Sequence, residues 1–133
     1  MEIYTCDGDL IYKDSAKTIK TTVQNAIKKG IILDNANLCW TDLRGANLRG
    51  AKLYCADLYG ANLQNCDLRD ADLENADLRL TKLYGANLSC ADLTKADLLS
   101  SDLRETQWAW ADFEGANFYH TIYADRMSEA HLD

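Results

Sequence analysis

The chain has 133 residues, 47% of them hydrophobic, and a formal net charge of −7. That length suits one domain with one core, and that composition excludes intrinsic disorder. No run of about 18 apolar residues is present to span a membrane, and an acidic balance speaks against direct nucleic-acid binding, which needs Lys and Arg clustered against phosphates.

The charge is unevenly spread. Residues 1–30 carry five Lys against four acids, a net of +1; residues 31–133 carry nine Lys and Arg against 17 acids, a net of −8. An acidic body fits a basic partner, or solubility alone. The opening MEIYTCDGDLIYKD lacks the basic-then-apolar pattern of a secretory signal, so a cytoplasmic location is the expectation. The cysteines are Cys6, Cys39, Cys55, Cys66 and Cys90, an odd number with no CxxC pair. Reduced thiols fit this better than a disulfide framework or a zinc site.

In chain order, residues 1–30 read as a terminal unit. Met1–Thr5 and Leu10–Lys13 flank Asp7-Gly8, a type I′ hairpin signal. The hairpin can extend the end of the fold or pair with another chain. Residues 15–29 place Ala16, Ile19, Val23, Ala26 and Ile27 on one helical face, with Asp14 or Ser15 as N-cap and Gly30 at the stop. This predicts an amphipathic helix that caps the next element.

From Ala36 the chain runs through 18 consecutive fives, beginning ANLCW TDLRG ANLRG. The large apolar position, i, is Leu at every step from Leu38 to Leu103, and then Trp108, Phe113, Phe118 and Tyr123. Position i−2 is small, from Ala36 and Thr41 through Cys66 to Thr121. Five residues advance an α-helix by about 500°, which would ring it with leucines. On a straight strand an odd period sends successive leucines to opposite faces. All of them face one axis only if the chain turns a corner once per pentad, and four corners close a square coil of 20 residues. Gly45, Gly50, Gly60, Gly85 and Gly115 fall at i+2, where a type II turn needs positive φ. Other residues at i+2 predict a mixture of type II and other turns. The absence of proline suits backbone ladders between coils.

These A(D/N)LXX pentads resemble the pentapeptide repeat family. The resemblance covers residues 31–123 and implies a right-handed quadrilateral β-helix, here of about 4.5 coils, with i and i−2 pointing inward. Lys52 and Lys82, at i−1, and Trp108 depart from the pattern and put the local turn geometry in question. The expected class is therefore an all-β solenoid with an N-terminal hairpin and a capping α-helix, and residues 124–133 as a tail or short helix. Each 20-residue step then stacks a ladder, for example Leu38, Leu58, Leu78, Leu98 and Phe118. The aromatics at the far end can plug the last coil or form a dimer surface.

Catalytic signals are missing from the sequence. His120 and His131 are the only histidines, and there is no HExxH, CxxC, GxGxxG or GxSxG. Carboxylate pairs such as Asp70/Asp72 and Asp72/Glu74 belong to solvated surface positions. No cofactor or metal is expected, and the chain reads as a non-catalytic protein-binding or scaffold module. The most apolar exterior face carries Trp40, Tyr59, Leu80, Leu99 and Tyr119, and with Trp110 at the aromatic end these form the candidate interface. A protein partner or a homodimer through this face or an end is expected, with no membrane and no direct nucleic-acid contact. Some pentapeptide repeat proteins mimic duplex DNA and bind gyrase, giving quinolone resistance. That resemblance supplies the alternative reading, although about 22 Å of coil matches only about six base pairs.

Overall fold

The computed structural model describes residues 1–122, so Tyr123, His131 and the expected tail lie outside the described residues. Between residues 31 and 122 the backbone forms a square coil. Parallel bridges join positions 20 apart on each of four sides: Asn37 to Asp57, Asp42 to Asn62, Asn47 to Asp67 and Lys52 to Asp72, and onward in the same register. Within each bridge the amides alternate between neighbouring coils; Asp57 N–H donates to Ala36 O at 2.9 Å, and Leu38 N–H donates to Asp57 O at 2.8 Å.

The leucines point inward as the period of five requires. At position i, Leu38 through Leu103 are at most 1% exposed, and the i−2 alanines from Ala36 to Ala96 are likewise buried. Leucine gives the core its apolar area, about 1.5–3 kcal/mol for each side chain fully buried, and the small i−2 residue lets the corners close. Polar i−2 residues such as Thr81 and Cys66 bond back to the wall: Thr81 Oγ1 donates to Leu78 O at 2.6 Å and Cys66 Sγ to Leu43 O at 2.9 Å.

Corner geometry is uniform, which corrects the expected mixture of turns. Every corner from Leu33 to Thr121 is closed by the i+3 amide on the carbonyl of i, as in Ala46 N–H to Leu43 O at 2.9 Å. The i+2 residue has positive φ whether or not it is glycine: 58° at Trp40, 55° at Cys55, 57° at Leu80 and 63° at Trp110, against 65° at Gly60. Closing the square fixes φ there, and the side chain must accept it. The Asp or Asn at i−1 supports the corner, its Oδ1 accepting the i+1 amide, as at Asp57 with Tyr59 (2.9 Å) and Asp92 with Thr94 (2.9 Å). At Lys52, which has no such oxygen, the Tyr54 amide is served by Asp34 of the preceding coil at 3.2 Å. The corners after Lys52 and Lys82 keep their closing bonds, at 3.0 and 2.9 Å.

The first residues form β1 (Glu2–Tyr4) and β2 (Leu10–Lys13), antiparallel, followed by α1 (Ile19–Lys28). The hairpin turn is not type I′. Only Gly8 has positive φ, at 94°; Gly8 N–H bonds Thr5 O at 3.0 Å and Thr5 N–H bonds Asp9 O at 2.8 Å, the pattern of a type I turn with a glycine bulge. Asp7 keeps an ordinary φ because the extra residue lets glycine alone take the left-handed position. The helix starts at Ile19 under Thr18, whose Oγ1 accepts Thr21 N–H at 3.2 Å, so Ala16 is not part of it. Asp14 instead accepts Thr22 Oγ1 at 2.8 Å and Asn25 Nδ2 at 2.9 Å, holding the incoming chain along the helix side. Gly30, with φ 71°, ends it: Gly30 N–H reaches Ile27 O at 2.9 Å and Ile31 N–H reaches Ala26 O at 3.0 Å, a Schellman close.

Both pieces pack on the first coil. Val23 and Ala26 are fully buried in the core that contains Leu33 and Ala36, and Ile3 is 1% exposed in the same cluster. Strand β1 continues past Tyr4 to pair Thr5 antiparallel with Ala36. At the other end Trp108, Phe113 and Phe118 are only half-buried, so these ladder rungs are not sealed as the leucine rungs are. Among the described residues no helix is long and apolar enough to cross a membrane.

Candidate interaction face

The face that stacks on Leu38, Leu58, Leu78 and Leu98 collects five of the six sequence-predicted residues. Trp40 is 67% exposed, Leu80 42% and Tyr119 67%, while Tyr59 and Leu99 are half-buried between their neighbours. Trp110 is 90% exposed but belongs to a different face, above Gly50, Asp70 and Cys90. It does not join the stripe.

Parallel stacking brings residues 20 apart into contact, and the stripe is built by that rule. The Trp40 ring lies over Gly60 and meets the Tyr59 ring edge-to-face, with centroids 5.3 Å apart and planes at 82°. Arg79, one coil on, sits over the other side of Tyr59 at 5.1 Å. Its guanidinium is fixed by Asp77, with Nε to Oδ1 at 2.9 Å and Nη2 to Oδ2 at 2.5 Å, and approaches Asp97 at 3.9 Å. Burial raises the Asp77 pKa, but the Arg79 hydrogen bonds outweigh it and hold the carboxyl below its usual range. The result is a rigid aromatic–guanidinium ladder rather than a loose apolar patch.

The hairpin adds apolar surface beside the Asn37 edge of the stripe, which sequence reading alone did not find. Tyr4 O accepts Asn37 N–H at 2.8 Å, and Tyr4 pairs with Leu10 across the hairpin. Ile3 points into the core, so alternation sends Tyr4 and Leu10 outward on the Asn37 side; they are 40% and 54% exposed. The only sequence signal was a β-branched and aromatic run beside Asp-Gly, which says nothing about which coil edge it meets.

The other chemistry-bearing groups stay apart. Among the described residues no three metal-ligating side chains converge. Burial pushes the Cys66 thiol up to about 11, while Cys6 and Cys90 are exposed and Cys39 and Cys55 half-exposed. His120 packs edge-on against the Tyr119 ring, with centroids 4.1 Å apart. The open depression between α1 and the coil, about 540 Å³, is lined by Gln24, Ile27, Lys28, Asn47, Arg49 and Asp70, and Arg49 is already paired with Asp70 at 2.9 Å.

A family profile described as pentapeptide repeats matches residues 31–70 and 61–98 in 8 copies. No curated protein matches the chain. Among solved structures it is similar to HetL, a pentapeptide repeat protein involved in heterocyst differentiation regulation from the cyanobacterium Nostoc sp. strain PCC 7120. That likeness has 31% identity and a TM-score of 0.52, over 67% of this chain and 39% of HetL. It is also similar to a trypsin-treated form of QnrB1, a plasmid-mediated fluoroquinolone resistance protein, at 24% identity and a TM-score of 0.50, over 64% of this chain and 39% of that one. The second likeness speaks for the fold alone. The chain spans about two fifths of the length of each, 39% in both cases.

Proposed function

The chain belongs to the pentapeptide repeat family, whose fold is the right-handed quadrilateral β-helix, and from that premise we propose that it works as a non-catalytic protein-binding module whose contact surface is the Trp40–Tyr119 stripe. On this reading 18 pentads at four per coil give about 4.5 coils, α1 and the hairpin serve as the N-terminal cap, and the partner is a protein.

One observation carries the proposal. Trp40 and Leu80 stand at left-handed corners, φ 58° and 57°, where glycine or asparagine would sit without strain, and both are left exposed. A bulky side chain at positive φ costs about 1–2 kcal/mol. Its exposed surface gives little back in the free protein, and strain of this kind collects where a surface is used. On other faces polar corners such as Asn65, Asn75 and Asp70 take this conformation, with Trp110 as the one large apolar corner outside the stripe.

The test is differential association. The partner captured by the full chain, then purified, is mixed with the wild type and with a Trp40→Ser/Tyr59→Ser/Leu80→Asn variant. Asparagine is chosen because it tolerates the corner. The expected result is loss of association with the circular dichroism and melting profile of a folded coil. Association that survives the triple change removes the stripe as the interface. DNA mimicry is the weaker reading, since the length available is about 22 Å and several of the acids on the flanks are already tied to arginines such as Arg44, Arg69 and Arg104.

A further inference from the structure

We infer that the stripe takes a basic amphipathic helix: a partner segment with an apolar line flanked by Lys or Arg. The inference rests on the stripe being the contact surface and names the chemistry of what lies on it.

Length comes first. From Trp40 through Tyr59, Leu80 and Leu99 to Tyr119, the surface crosses five coil rungs, with Tyr4 and Leu10 beside its lower end on the Asn37 side. Four strand spacings make about 19 Å, the length of a helix of about 13 residues. The surface draws on the i+1 and i+2 positions of one corner per rung, a narrow strip that suits one helical stripe better than a sheet face.

Charge comes second. Along one edge of the column stand Asp57, Asp77 and Asp97, stacked in register. Cys6 N–H bonds Asn35 O at 2.9 Å, which sets Cys6 of the hairpin turn beside Asp57 at the lower end. The cations on this side are committed or displaced: Arg79 is held by Asp77 and Asp97, Lys13 by Glu2 at 2.8 Å, and Lys95 stands one corner away. Three stacked carboxylates against one guanidinium leave the edge net acidic beside the apolar column, and among the described residues Asp57 has no ion-pair partner. A neutral apolar segment would leave those charges half-desolvated, and an acidic one would meet like charge.

The same edge argues against a second copy of this chain docked antiparallel on the stripe. A two-fold axis lying across the stripe sets two stripes antiparallel and returns Asp57, Asp77 and Asp97 to face the same three carboxylates of the copy.

The test uses the full chain and two synthetic 20-residue peptides with one leucine line at helical spacing, flanked by Lys in one and by Glu in the other. Binding is followed by peptide fluorescence anisotropy in low and high salt. The Lys peptide is expected to bind and the Glu peptide to bind at least about tenfold more weakly. Trp40→Ser with Leu80→Asn is expected to weaken the Lys peptide about tenfold or more, and Asp57→Asn with Asp97→Asn about threefold to tenfold. Asp72→Asn with Asp92→Asn, on a different face, is the control and is expected to leave binding within about twofold. Equal binding of the two peptides, equal loss from the control pair, or no binding of the Lys peptide overturns the inference. So does dimerisation of the chain alone that Trp40→Ser abolishes. A captured partner whose contact segment is acidic, and whose binding still needs Trp40, overturns this inference while leaving the interaction reading standing.

Discussion

Gly60→Ala and Gly50→Ala are the same chemical change at equivalent corners, φ 65° and 68°, in different surroundings. A methyl at Gly50 meets nothing within 4 Å, whereas a methyl at Gly60 would run into the six-membered ring of Trp40. Both changes force alanine into the left-handed region at about 1–2 kcal/mol, partly offset by about 0.4–1 kcal/mol from a stiffer unfolded chain. Gly60→Ala must also move the Trp40 ring off Tyr59, giving up an edge-to-face contact of about 0.5–1.5 kcal/mol. Gly50→Ala should therefore lower stability by about 1 kcal/mol and Gly60→Ala by about 2, a difference of about 3–5 °C in Tm for a chain of this size. Urea unfolding measures the first quantity. With Trp108 and Trp110 changed to Phe, Trp40 alone emits, and its spectrum should shift red in Gly60→Ala only. In a Trp40→Ala background the extra loss should vanish. Equal losses at the two glycines, with unchanged Trp40 emission, would refute the ladder described above.

Leu78→Ala, at a side chain with no exposed surface, should lower stability by about 2–5 kcal/mol in chemical denaturation, and Leu78→Asp should prevent folding, because it buries an unpaired charge; a loss below about 1 kcal/mol for alanine would contradict the sealed interior. Ser101 Oγ is buried with no hydrogen-bond partner among the described residues, so Ser101→Ala should be neutral or stabilise by up to about 1 kcal/mol, and clear destabilisation would refute that environment. At neutral pH a maleimide should label Cys6 and Cys90 within minutes and leave Cys66 unlabelled in the fold, as read by mass spectrometry; early labelling of Cys66 would contradict its burial. Arg44 holds Asp42 down to about 2, and Arg69 and Arg104 hold Asp67 and Asp102 below the carboxylate range. Carboxyls depressed in the fold add stability that is complete above their unfolded values near 4 and is lost as pH falls through the folded ones. Melting temperature should thus be flat from pH 7 to about 5 and decline from about 4 toward 2, less steeply once Asp67 and Asp102 are both Asn; the same decline in that variant would place the titration elsewhere.

The interior was readable from the sequence because a period of five admits only one way for Leu58, Leu78 and their equivalents to share an axis. The candidate face followed from the same 20-residue register, which put Trp40, Tyr59, Leu80, Leu99 and Tyr119 in one column. Three things were not readable. Corner φ at Trp40 or Cys55 is imposed by closure of the square, so local preference, which would have chosen other turns, lost to the ladder bonds on either side. The helix start moved from Ser15 to Ile19 because Asp14 found better donors in Thr22 and Asn25 than in the first helical turn. The contribution of Tyr4 and Leu10 depends on β1 meeting residues 35–37, a pairing between segments 30 residues apart that no local pattern encodes.

The inside of this coil carries almost no individuality: nearly every rung offers leucine and alanine, and a change there alters stability rather than recognition. What distinguishes one face from another is confined to i−1, i+1 and i+2. The i−1 oxygen is largely spent on the corner amide, as in Asp77 and Asp97, which leaves two free positions per pentad. Stacking then couples each free position to its neighbours a coil away, so that Tyr59 is set by Trp40 on one side and Arg79 on the other. A contact surface on such a body is therefore chosen as a column, and changing one rung of it alters the rungs above and below.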